Sequence, residues 1–153
     1  MKIAYQGIAG SYSESCAKEK YPNCNTIPCK TFDECFEKAN EDSSVKAIIP
    51  ESNKTTGNIG VEYLIFKYRL NICAEHFFSI NHNLLGIHGS KIADIKDVYS
   101  HAQALSQSSA FIKKKKFNEN VRADTAGSAK YISEAQDKSK GAIASKLSAE
   151  IYN

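Results

Sequence analysis

Short runs of apolar, β-prone residues alternate along most of the chain with segments whose apolar positions recur at helical spacing. The runs predict strands near Ile3–Gln6, Asn25–Cys29, Ala47–Ile49, Asp97–Ser100, Asn120–Ala123 and Gly141–Ala144. The helical segments cover Tyr12–Lys20, Thr31–Ala39, Ile59–Tyr68, Gln103–Lys115, Ala126–Ala135 and Ser145–Tyr152. Thr31 followed by Glu34 spells a capping box, and Pro22 closes the first helix. This alternation is the mark of an α/β fold with a largely parallel sheet. One run differs in kind. Leu70–Leu85 reads as a single long strand, extended through Phe77, Phe78 and Ile80 and free of glycine until Gly86. Such a strand can carry the chain from one lobe to another, which predicts a first lobe over residues 1–75, a second over 76–153 and a ligand cleft between them.

Composition narrows the class. The chain has 153 residues, 42% of them apolar and 24% charged, which suits one ordinary globular domain or two small lobes. No apolar stretch approaches the roughly 20 residues of a membrane-spanning helix, so no membrane partner is expected. The amino terminus reaches Gln6-Gly7 without an apolar signal region, and the expected location is the cytoplasm. Five cysteines, an odd number without a Cys-x-x-Cys pair, read as reduced, mostly buried small hydrophobes. A net charge of +3 does not make a nucleic-acid binder. The run Lys113 to Lys116 reads as the solvated end of a helix, where cations complement the carbonyl dipole.

Four polar segments directly follow strands and open helices: Gln6 to Ser13, Pro50 to Asn58, Ser100 to Gln103 and Asp124 to Ser128. Carboxyl ends of parallel strands share one edge, so these loops converge. Helix amino termini there offer N–H groups and positive dipole ends that suit a ligand bearing carboxylates. Each loop taken alone is explained by ordinary helix capping, since Ser, Thr, Asn and Asp are the capping residues. His76, His82 and His88 would share one face of the long strand, but neighbours six residues apart lie ~20 Å from each other, too far for one metal ion.

In combination the segments become specific. Tyr5-Gln6-Gly7-x-x-Gly10-Ser11-Tyr12-Ser13-Glu14, Ser100-His101-x-Gln103-Ala104-Leu105-x-Gln107, Asp124-Thr125-Ala126-Gly127-Ser128-Ala129 and Ala142-Ile143-Ala144-Ser145 occur in one order, with Glu75 and His82 between the first and the second. The chain resembles the prephenate dehydratase family over essentially its whole length. The resemblance implies the two-lobed α/β fold of type II periplasmic binding proteins, a homodimer, and the conversion of prephenate to phenylpyruvate with loss of carbon dioxide and water. It implies no metal or organic cofactor. Asn53, Ser100, Gln107 and Thr125 would carry catalysis. Ser11, Tyr12, Ser13, Lys54, Gly57, His101, Gln103 and Ala126 would surround the substrate. Arogenate is the close alternative substrate, and a non-catalytic module that binds an aromatic carboxylate is the alternative of another class.

Two departures from the family pattern stand out. Where the family has Pro-x-Glu-Asn-Ser-x-x-Gly, this chain reads Pro50-Glu51-Ser52-Asn53-Lys54-Thr55-Thr56-Gly57, so Asn53 keeps its register while Ser52 and Lys54 replace the flanking residues. The family's later Thr-Arg-Phe motif, carried by a strand that returns to the first lobe, is not found among residues 1–153. A first lobe lacking that strand is therefore expected.

Overall fold

A computed structural model describes residues 1–53 and 57–152. The chain divides into two compact units, one of Met1–Ile8 with Tyr12–Phe78 and the other of Ala9–Ser11 with Ser79–Asn153. Both are α/β.

The first unit is built on β1 (Lys2–Gln6), β2 (Asn25–Cys29) and β3 (Val45–Ile48), all parallel, in the order β2-β1-β3. The central strand is the most apolar. Ala4 packs on one face with Cys29, Cys35 and Val45, while Ile3 and Tyr5, two residues apart, share the other face and are as deeply buried. Pro28 is tolerated in β2 because that strand lies at the sheet's edge. Helix α1 (Tyr12–Lys20) joins β1 to β2 and α2 (Phe32–Glu41) joins β2 to β3. Thr31 caps α2 as its spelling predicts: its Oγ1 accepts the Glu34 N–H at 3.1 Å. The Glu34 carboxylate returns one residue earlier than a standard box, to the Lys30 N–H at 2.7 Å. A hairpin of β4 (Ser52–Asn53) and β5 (Gly57–Asn58) follows, then α3 (Glu62–Tyr68), whose Leu64 packs with Phe36 and Val61.

The second unit holds β6 (Asn83–Gly86), β7 (Asp97–Ser100), β8 (Asn118–Val121) and β9 (Lys140–Ala144), in the order β6-β9-β7-β8. Strands β7, β8 and β9 run parallel and β6 is antiparallel to β9, so the sheet is mixed. The period of two is read directly on β9. Ile143 joins Ile95, Val98, Leu105 and Ile112 beneath α4 (Ala102–Gln107) and α5 (Ser109–Lys115). Ala142 and Ala144 face Ala129 and Ile132 of α6 (Thr125–Ala135), close to α7 (Lys146–Tyr152). Both faces are covered, which is why the strand reads as an unbroken apolar run. Lys113 to Lys116 close α5 with their side chains exposed.

The expected strand over Leu70–Leu85 is corrected by the structure. Only Asn83–Gly86 forms a ladder, and residues 70–82 belong to no strand. Apolar, β-prone side chains permit an extended backbone, but a strand also needs a neighbour to take its N–H and C=O groups. His76 and His82 consequently do not share a strand face. His76 Nε2 lies 2.9 Å from Glu19 Oε1 in the first unit, and His82 belongs to the second.

Candidate functional site

The second unit gathers most of the polar motif residues on one sheet edge. Parallel strands β7, β8 and β9 end there at Ser100, Val121 and Ala144, and antiparallel β6 begins there with Asn83 opposite Ala144. Three loops and the entry to β6 therefore meet without any long-range contrivance.

Each loop is fixed by short-range bonds. After β7, the extended His101 caps α4, its Nδ1 accepting the Gln103 N–H at 3.3 Å. Gln107, one turn further on, is exposed, and its Oε1 lies 2.7 Å from His82 Nε2 at the mouth of β6. With the ring N–H donating to the amide oxygen, this bond fixes which end of the Gln107 amide meets His82. His82 was not expected among the site residues. Its sequence signal is its place, with Glu75, among the residues that carry the family resemblance.

After β8, Asp124 caps α6, its Oδ1 accepting the Gly127 N–H at 2.5 Å. Thr125 begins the helix half-buried and Ala126 is fully buried. Their first-turn amides have no acceptor within the helix, which leaves positive partial charge at this end of an 11-residue dipole. Ser100 differs from its neighbours. It is completely buried, and its Oγ donates to the Ile143 carbonyl at 2.5 Å, so in this conformation the hydroxyl ties β7 to β9.

Ser11 also belongs to the second unit, through the loop Ala9–Ser11. Tyr12 and Ser13 open α1 in the first unit, both half-buried. Burial pushes the Tyr12 phenol well above its ordinary value, so at neutral pH it stays protonated and able to donate. The first turn of α1 is anchored from below: Glu14, 4% exposed, accepts from Thr26 Oγ1 at 2.9 Å and pairs with Lys18 Nζ at 2.9 Å. Asn53 pairs through its backbone with Gly57, which is exposed at φ 72° in the hairpin. Lys54 lies outside the described residues. Among the described residues no three His, Cys, Asp or Glu side chains are grouped to hold a metal ion, and no helix is long and apolar enough to cross a membrane.

The family model for prephenate dehydratase matches residues 3–153. The chain belongs to the prephenate dehydratase family. Within it, the chain is 42% identical over 153 residues to arogenate dehydratase 2 of Petunia hybrida, covering 99% of this chain and 39% of that protein. Among solved structures it is similar to the prephenate dehydratase of Staphylococcus aureus, with a TM-score of 0.76, 25% identity, and coverage of 100% of this chain and 58% of that one. It is also similar to GqqA, described as a novel type of quorum quenching acylase, with a TM-score of 0.94, 32% identity, and coverage of 99% and 56%. This prephenate dehydratase family chain thus spans about two fifths of its petunia relative's length.

Proposed function

We propose that the chain carries the substrate site of a dehydratase that converts prephenate to phenylpyruvate, releasing carbon dioxide and water. The observation that carries this reading is the family match over residues 3–153, most of whose polar motif residues crowd one edge of the second unit's sheet. Prephenate brings two carboxylates, a ring hydroxyl and a ring that gains aromaticity when the hydroxyl and one carboxylate depart. Loss of carbon dioxide leaves its bonding electrons in the ring, these expel the hydroxide, and one proton converts the hydroxide to water. The protein has to hold the other carboxylate and aim donors at the leaving oxygen. Thr125, at the positive end of α6, and Gln107, turned by His82, supply donors of the right kind, and Asn53 adds an amide. Ser100 acts through its hold on β9. Ser11, Tyr12, Ser13, Lys54, Gly57, His101, Gln103 and Ala126 are the substrate-binding residues that the family resemblance implies.

The test is phenylpyruvate formation from prephenate, read by ultraviolet absorbance in alkali. Turnover well above the spontaneous rate is expected, and Gln107→Ala should lower it ~100-fold or more while the protein stays folded. A wild-type-like rate in that variant would remove Gln107 from the site. Prephenate that protects the fold from heat without turning over would leave a binding module.

Arogenate is a second substrate favoured by the 42% identity to the petunia enzyme; the ratio of specificity constants decides between the two. An acylase reading rests on the TM-score of 0.94 to GqqA, and release of the amine from an N-acyl amide would carry it. The finer architecture is proposed as the two-lobed fold of type II periplasmic binding proteins. The five free cysteines suit a reducing compartment such as the cytoplasm. A homodimer is supported by Phe66 and Phe77, 81% and 87% exposed, since such apolar surface commonly marks an interface.

A further inference from the structure

The loop between β1 and α1 is held in a way that neither capping nor sheet pairing accounts for. The Gly10 carbonyl accepts two hydroxyls at once, Ser145 Oγ at 2.5 Å and Ser148 Oγ at 2.8 Å. The preceding carbonyl, of Ala9, accepts the Tyr152 hydroxyl at 2.9 Å. Positions 145, 148 and 152 fall on one stripe of α7 and the residue before it, three and four apart, so a single helix face delivers all three donors. Ser145 and Ser148 are buried, 3% and 0% exposed, and the Ser145 Oγ in turn accepts the Ser148 N–H at 2.9 Å.

The fit leaves no room for a side chain at Gly10. A Cβ on Gly10 would stand 2.6 Å from Ser148 Oγ and 2.9 Å from Ser148 Cα, and its φ of 88° is one that L residues rarely adopt. Burying hydroxyls carries a desolvation cost that an all-apolar packing, such as neighbouring Ala149 and Ala144 supply, avoids. Here the cost is offset by fixing two successive carbonyls. Because a trans peptide is planar, directing the Gly10 C=O toward α7 directs the Ser11 N–H the opposite way. The clamp thereby sets the orientation of the peptide that leads into Ser11, Tyr12 and Ser13.

We propose that Ser145, Ser148 and Tyr152 are positioning residues for substrate binding, acting through the Ala9 and Gly10 carbonyls on the segment that begins at Ser11. The inference rests on the dehydratase reading for the identity of that substrate. It makes Ser145 of the Ala-Ile-Ala-Ser motif a clamp and leaves contact with the substrate to the loop.

The experiment measures prephenate turnover and thermal unfolding for the 153-residue chain and for Ser148→Ala and Tyr152→Phe. Tyr152→Phe removes one hydroxyl oxygen at the end of α7 and keeps the ring, so it guards against a variant that merely fails to fold. Each variant is expected to raise KM ~5- to 10-fold with kcat held within about twofold, the scale of one lost hydrogen bond. Ser148→Thr, which restores the hydroxyl, should recover most of the KM. An unchanged KM alongside a lowered melting temperature overturns the proposal, because the clamp would then serve only the fold. An equal loss in kcat and kcat/KM also overturns it. Failure of the dehydratase reading shows separately and earlier, as a wild-type chain that neither turns over nor binds prephenate.

Discussion

The two units use the same strand-helix alternation and finish it differently. In the second, β9 is buried on both faces, with Ile143 in one cluster and Ala142 and Ala144 in the other, and every polar loop at the sheet edge has a local anchor. In the first, a three-stranded sheet carries α1 and α2, and the three aromatic side chains that are more than half exposed, Tyr63, Phe66 and Phe77, all lie here among the described residues. In the second unit the candidate residues are therefore tied directly to the core. The first unit holds its candidate residues on a helix start and a short antiparallel strand pair, and it also carries this exposed aromatic surface.

The largest effect should come from breaking the core that bears the site. Leu105 is 1% exposed on α4, packed with Val98, Ile112 and Ile143, and α4 also carries Gln103 and Gln107. Leu105→Ala is expected to cost ~2–5 kcal/mol in urea unfolding, from lost burial and the cavity left behind. Prephenate turnover should fall beyond the folded fraction lost. A cost below about 1 kcal/mol would mean that this face of the sheet is not the packed core described.

A smaller pair of substitutions separates the units directly. Asp124 and Thr31 are both N-caps, each bonding the N–H three residues on, one at the second unit's sheet edge and one at the start of α2 in the first unit. Replacing either by alanine should cost about 1 kcal/mol. Asp124→Ala should also weaken prephenate binding by disturbing Thr125 and Ala126, whereas Thr31→Ala should leave KM unchanged. Equal KM values in the two variants would dissolve the distinction between the units.

Much of this was legible in the sequence where a local rule and a tertiary one agree. The helix over Tyr12–Lys20 and the strands Asn25–Cys29 and Asp97–Ser100 fall where the pattern puts them, and Thr31 caps as spelled. The pattern fails where partners decide. Residues 70–82 have strand-like side chains and lie in no sheet. The helical period over Gln103–Lys115 hides a break at Ser108, which separates α4 from α5 with its N–H bonding back to Ala104 and Leu105. The hairpin at Ser52 and Gly57 is too short to announce itself. At the candidate site, residue types were readable but their burial was not. Ser100 reads as a polar loop residue and is sealed between strands. Ser145 stands out only as the end of the Ala-Ile-Ala-Ser motif, and Ser148 and Tyr152 not at all, because nothing in their spacing reveals the two carbonyls that meet them.

The smallest expected effect tests the other half of the comparison. Phe66 lies on α3 with 81% of its surface exposed, while Leu64, two residues earlier, is 1% exposed and faces α2 through Phe36. Within the isolated chain, Phe66→Ser removes apolar area that folding never buried, so its stability should stay within about 0.5 kcal/mol of wild type. Sedimentation should behave differently: if the aromatic surface of the first unit is what a second copy covers, the variant shifts from dimer to monomer at micromolar concentration. A loss of more than about 1 kcal/mol measured on the monomer would show that Phe66 is packed after all. The first unit would then be as self-contained as the second.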